Sequence, residues 1–178
     1  MSFSHEQEIQ ALLQRALNFS GDDLQANRQG LLSEGQKAAL KTERSLAILI
    51  VGTIGVVGSL FILFASLPLV LAILPIAVAA IICAIVHANT EALLQSGRVE
   101  SITGIARRSI SISASQSEKK KHITINTHYQ ILIGDKSFGV GKTVYDAFVE
   151  SEVYTLYYIQ SVRLLSGERI APRQAVEL

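Results

Sequence analysis

The chain has 178 residues and a formal net charge of +1, with 49% hydrophobic and 17% charged residues, enough for one ordinary domain or a small domain plus another element. That average hides a partition: Ser45 to Thr90 contains no Asp, Glu, Lys or Arg, and all 16 Lys/Arg and 15 Asp/Glu residues lie outside it. The partition excludes a wholly soluble globule and a disordered chain, one cysteine excludes a disulfide scaffold, and near-neutral charge offers no reason to expect nucleic acid.

Residues 1–44 read as a cytoplasmic helical arm. Ser4 and Gln7 have capping-box spacing, and Ile9, Leu12, Leu13, Ala16 and Leu17 follow as a stripe at helical period. The stretch from Asn18 to Asp23, with Gly21, ends this helix. Its mixed charge and single Arg argue against an interfacial helix and for packing on the C-terminal domain or another subunit. Ser33 and Gln36 offer a second cap, whose helix runs through Leu40 and Arg44 into the apolar run. Asn18-Phe19-Ser20 matches a glycosylation triplet but is set aside, because a cytoplasmic arm is never modified there.

Residues 45–88 read as a transmembrane helical hairpin. One helix over Leu46–His87 would be about 63 Å long, about twice the hydrocarbon thickness. It must fold in two at Ala65-Ser66-Leu67-Pro68, giving helices over 46–64 and 69–87. Arg28, Lys37, Lys41 and Arg44 precede the run; Arg98, Arg107 and Arg108 follow it; the turn has no cation. Both termini are therefore expected in the cytoplasm of a multi-pass plasma (inner) membrane protein. Pro75 is expected to kink the second helix. Gly52, Gly55, Gly58 and Ser59, and Ala77, Ala80, Ala84 and Ala88, repeat at helical spacing and predict close helix packing or oligomerisation. No ionisable residue lies in the hydrocarbon apart from His87 at its edge, which gives a transporter no support.

Residues 89–97 read as a helical connector closed by Gly97. Residues 98–170 read as a small β domain, followed by a tail at 171–178. Arg108 to Ser113 alternates with period two, Gln116 to Lys121 is a polar hairpin loop, and Ile123 to Thr127 resumes the alternation. Tyr129 to Ile133 is a third strand ended by Gly134-Asp135, and Phe138 and Val140 mark a fourth. A helical turn over Thr143 to Glu150 precedes strands at Val153–Ile159 and Val162–Leu165. The expected fold class is an α+β membrane protein: a two-helix transmembrane hairpin plus a small antiparallel β-barrel-like or rolled-sheet cytoplasmic domain.

The succession Tyr129-Gln-Ile-Leu-Ile-Gly134, Phe138-x-Val140, Tyr145-x-Ala147-Phe148, Tyr154-x-x-Tyr157-Tyr158 and Leu165-Ser166-x-Glu168 resembles a pattern in uncharacterised bacterial membrane proteins. These place a helical hairpin before a small cytoplasmic β domain. The resemblance covers roughly residues 45 to 170 and implies architecture, not an activity. Membrane proteins of the nodulation-efficiency type also put a barrel after helices, but with four spans instead of two.

Candidate chemistry is sparse. Gly139-Val140-Gly141-Lys142-Thr143 imitates a phosphate loop, but the register demands glycine at position 136, which is Lys136. No nucleotide is expected. His122 and His128 have no Cys or carboxylate cluster beside them, so no metal is expected. Alternating serines at 109, 111, 113 and 115 read as a solvent face, and nothing activates one for catalysis. Lys119, Lys120 and Lys121 read as a hairpin tip able to contact anionic lipid headgroups. Tyr154, Tyr157 and Tyr158 are strand residues that could present a partner surface. The function expected is that of a non-enzymatic integral membrane protein, without cofactor, whose β domain mediates protein–protein interaction or self-assembly. Its expected partners are membrane lipid and either itself, as a homo-oligomer, or another membrane protein. The alternative is an accessory or pore-forming subunit of a transport or channel assembly.

Overall fold

A computed structural model of the chain describes residues 2–65, 68–116, 123–160 and 163–170. They divide into two compact units: one of residues 33–97, and one combining residues 1–32 with 98–178.

The first unit is an antiparallel helix pair. Helix α3 (Glu34–Phe64) opens on the capping box expected from Ser33 and Gln36, whose side chains each bond the other's backbone N–H. It then continues unbroken into the apolar run. Helix α4 (Leu69–Ser96) follows Pro68, passes through Pro75 without a break, and ends at Gly97 in the left-handed conformation (φ 53°). The connector is thus the last turns of one helix. The pair packs through small residues. A Cβ on Gly55 would lie 2.6 Å from Ala79 Cβ, and one on Gly58 would lie 3.4 Å from Pro75 Cβ. Gly55, Ser59, Ala72 and Ala79 are buried. Arg44 pairs with Glu91 at the polar end of the same contact. Large apolar side chains, from Leu49 and Ile54 to Ile81 and Ile85, point outward.

In the second unit, helix α1 (Ser2–Leu17) begins before Ser4, so Ser4 lies inside the helix instead of capping it. The helix ends at Leu17, just before the expected break at Asn18, but a further short helix, α2 (Gly21–Arg28), starts within that stretch. Ser20 and Asp23 form its capping box, which overrides the low helix propensity of Gly21. Strands β1 (Glu100–Gln116), β2 (Ile123–Ile133), β3 (Lys136–Val140), β4 (Val153–Ile159) and β5 (Arg163–Arg169), with helix α5 (Lys142–Ala147) after β3, complete the unit. β2 is one strand, where two were expected on either side of His128; β1 pairs with it without interruption from Ala106↔Ile133 to Gln116↔Ile123. Gly134 (φ 60°) supplies the left-handed residue needed by the two-residue turn into β3.

The five strands form one antiparallel sheet in the order β3-β2-β1-β4-β5. β1 serves two ladders end to end: Glu100–Ile105 pair with β4, and Ala106–Gln116 pair with β2. In a flat sheet β3 and β4 would be about 14 Å apart, three strand spacings. The Phe138 ring of β3 nevertheless lies 5.3 Å from the Tyr158 ring of β4. The sheet is therefore rolled, with the core between its halves. Ile131, Ile133, Phe138, Phe148, Tyr154 and Leu156 fill that core together with Ile9 and Leu13 of α1.

Candidate functional site

Of the residues singled out for helix packing, Gly55 and Ser59 lie in the hairpin contact. Gly52 has no atom within 4 Å of where a Cβ would stand. Ala77, Ala80 and Ala84 are exposed and take no part in the contact, which corrects their expected role within the hairpin. At 100° per residue they lie about 100–160° around α4 from the stripe of Ala72, Pro75 and Ala79 that meets α3. An open apolar groove of about 420 Å³ runs along the pair, lined by Gly55, Gly58, Pro75 and Ala79 among others.

Tyr154, Tyr157 and Tyr158 do not form a surface: all three are buried. Successive residues of a strand point to opposite faces, and every residue of β4 from Tyr154 to Ile159 is buried, so both faces of the strand are covered. Tyr154 meets the Phe148 ring edge-on at 4.9 Å, and its hydroxyl accepts the Val149 N–H at 3.0 Å. Burial pushes its pKa up. Alternation marked these tyrosines as strand residues, but only long-range packing covers the second face.

Helix α2 supplies that cover at Tyr157, and a polar latch ties both N-terminal helices to β5. Gln10 Nε2 donates to the Gly167 carbonyl at 3.1 Å. Asn27, 1% exposed, donates from Nδ2 to Ser166 Oγ at 2.7 Å. Arg28 pairs with Glu168, which also accepts the Tyr157 hydroxyl at 2.8 Å. Burial, then the bond to Glu168, pushes the Tyr157 hydroxyl up to about 12. Burial raises the Glu168 carboxyl, but the bonds from Arg28 and Tyr157 outweigh it and leave it below the usual carboxylate range. No sequence spacing announces these pairings across about 140 residues. The one local signal was the Ser20–Asp23 box that sets α2 in place.

The imitation phosphate loop sits between β3 and α5, in an antiparallel sheet. Gly141 precedes the helix and Lys142 is taken up in an i,i+4 ion pair with Asp146. Arg169 likewise pairs with Glu152. Among the described residues no group of three or more His, Cys, Asp and Glu could hold a metal. His128 is exposed, opposite Ser111. Lys119, Lys120, Lys121 and His122 lie outside the described residues.

One surface remains, and the sequence reading did not single it out. Beyond Ile110, where β3 has ended, β1 and β2 run on as a two-stranded ribbon. Its apolar face continues the core face of the sheet, from Ala106 through Arg108 to Ile110 and Ile112. Arg108 still lies over the Tyr145 ring of α5, 5.3 Å from its centroid. Past that point the face is uncovered: Ile110 is 49% and Ile112 69% exposed. The alternation Ser-Ile-Ser-Ile-Ser was legible; that no helix would cover its isoleucines was not.

Comparison of the chain with protein-family models, with curated proteins and with solved structures finds no match.

Proposed function

We propose that the protein is an integral membrane anchor whose second unit is a cytoplasmic docking module, binding protein partners without catalysing a reaction. The observation that carries the reading is the surface of α3 and α4. Both are long and apolar enough to cross a membrane, with mean hydropathies of 2.7 and 2.6, and only 11% of each apolar window is buried. In water such a surface would be a contiguous apolar patch far beyond what soluble proteins expose. In a bilayer each central Leu, Ile, Val or Phe instead favours insertion by about 0.3–0.6 kcal/mol. The flanking cations favour an orientation with both termini in the cytoplasm. A docking role follows from the contrast between paired charges and uncovered isoleucines in the sheet unit. Lys142, Arg169 and Arg28 are held in ion pairs, while Ile110 and Ile112 have no cover.

The test is alkaline carbonate extraction of membranes from expressing cells, with accessibility tags at Ser2, Leu178 and Ser66-Leu67. The chain should stay in the pellet, with both termini protected in sealed cells and the turn tag labelled from outside. Release into the supernatant, or termini on opposite sides, overturns the reading.

A further inference from the structure

Resting on the reading of the sheet unit as a docking module, we infer that its partner is a second copy of this chain. The copies join along the free edge of β1 from Ser109 to Gln116, so that two ribbons become one continuous antiparallel sheet. The pairing of β1 with β4 stops at Ala106, whose N–H and carbonyl bond to Glu152 and Ser151. From Arg107 to Gln116 that edge pairs with no described residue, while the opposite edge is fully occupied by β2. An edge of unpaired N–H and C=O groups is a template for another strand, and natural edges are guarded by charges, prolines, bulges or shortness. This edge has none of those guards between Ser109 and Gln116.

The side chains favour a second copy over an unrelated strand. In an antiparallel self-pairing with its two-fold on a residue of the strand, residues of equal parity face each other. Ile110 and Ile112 of the two copies then share one face, and the serines share the other. The cations fit as well. With the two-fold at Ile112, Arg108 of each copy lies opposite Gln116 of the other, whereas parallel in-register pairing would set arginine beside arginine. The ribbon also needs support, since two strands alone are marginal in water and four with a common apolar face are not. The free stretch of β2, residues 123–128, is shorter and carries Asn126 and His128.

The experiment uses the full chain in native membranes, with Cys83→Ala and single cysteines placed in turn from Ser109 to Ser115, under mild oxidation. Each step away from the two-fold separates the paired sulfurs by about 7 Å more. Disulfide-linked dimer should therefore peak at one position and fall at least tenfold within four residues. A flat or empty scan overturns the proposal, and so does trapping of a different protein in place of the second copy. In mild detergent Ile112→Lys, at an exposed position, should cut the dimer fraction at least tenfold and leave sheet circular dichroism unchanged. A dimer that survives it, through helix contacts for example, overturns the proposal too. A membrane-inserted chain with a flat scan defeats this inference alone. A chain released by carbonate that still gives the peaked scan defeats the anchor alone.

Discussion

The two units follow opposite rules of burial. In the helix pair the small residues Gly55, Ser59, Ala72 and Ala79 are inside and the large apolar ones face out. In the sheet unit the large side chains of Phe138, Phe148, Tyr154 and Leu156 are inside. The difference shows what holds each together. The sheet unit gains from removing large apolar surface from water. The helix pair hides little such surface, and its cohesion rests on backbones brought close by the lack of side chains. A mutation should therefore damage one unit by removing atoms and the other by adding them.

The largest effect tests the sheet unit. Phe138→Ala empties a fully buried site against Tyr158 and should cost about 3–5 kcal/mol. Hydrogen exchange should then show loss of protection in β1–β5 while α3 and α4 stay protected. Loss in both units at once would end the comparison.

Adding atoms to the helix pair comes next. Gly55→Leu drives a side chain into Ala79, where a Cβ alone already stands at 2.6 Å, and should destabilise the pair by about 1–3 kcal/mol. Ala84→Leu, on the exposed side of α4, should leave it unchanged. Distances between spin labels on the two helices distinguish them, and equal effects would refute the contact face.

The latch on β5 gives the sheet unit a pH dependence of its own. Glu168 has a lowered pKa in the folded chain, so its contribution is present above the ordinary value of 4.5 and is lost as pH falls below it. Tyr157 is raised from 10.0 to about 12, so its contribution is complete below pH 10 and is lost as pH rises towards 12. Thermal melts across pH should slope downward at both ends. Glu168→Gln should flatten the acid slope and Tyr157→Phe the alkaline one. The helix signal should not move with either.

The smallest effect belongs to Lys142→Ala. It removes an exposed pair with Asp146 and should leave the stability of the sheet unit essentially unchanged. Isothermal titration with a nucleoside triphosphate should show no heat that depends on Lys142. Heat lost with the side chain would restore the phosphate-loop reading.

Local features were legible in the chain itself. The Ser33–Gln36 cap, the stop at Gly97 and the turn at Gly134 rest on interactions within a few residues, and they stand where the spacing puts them. The apolar run of α3 and α4 was legible for the same reason, since length and composition are properties of a segment. Tertiary structure decided the rest. Gln10 with Gly167, Asn27 with Ser166 and Arg28 with Glu168 join the two ends of the chain, cover Tyr157 and make the first 32 residues part of the sheet unit. Which small-residue stripe of α4 meets α3 was likewise set by the partner helix, because both stripes carry the same spacing. Periodicity says that a face is apolar. Only the neighbours that reach it decide whether it is buried, as at Tyr157, or left open, as at Ile112.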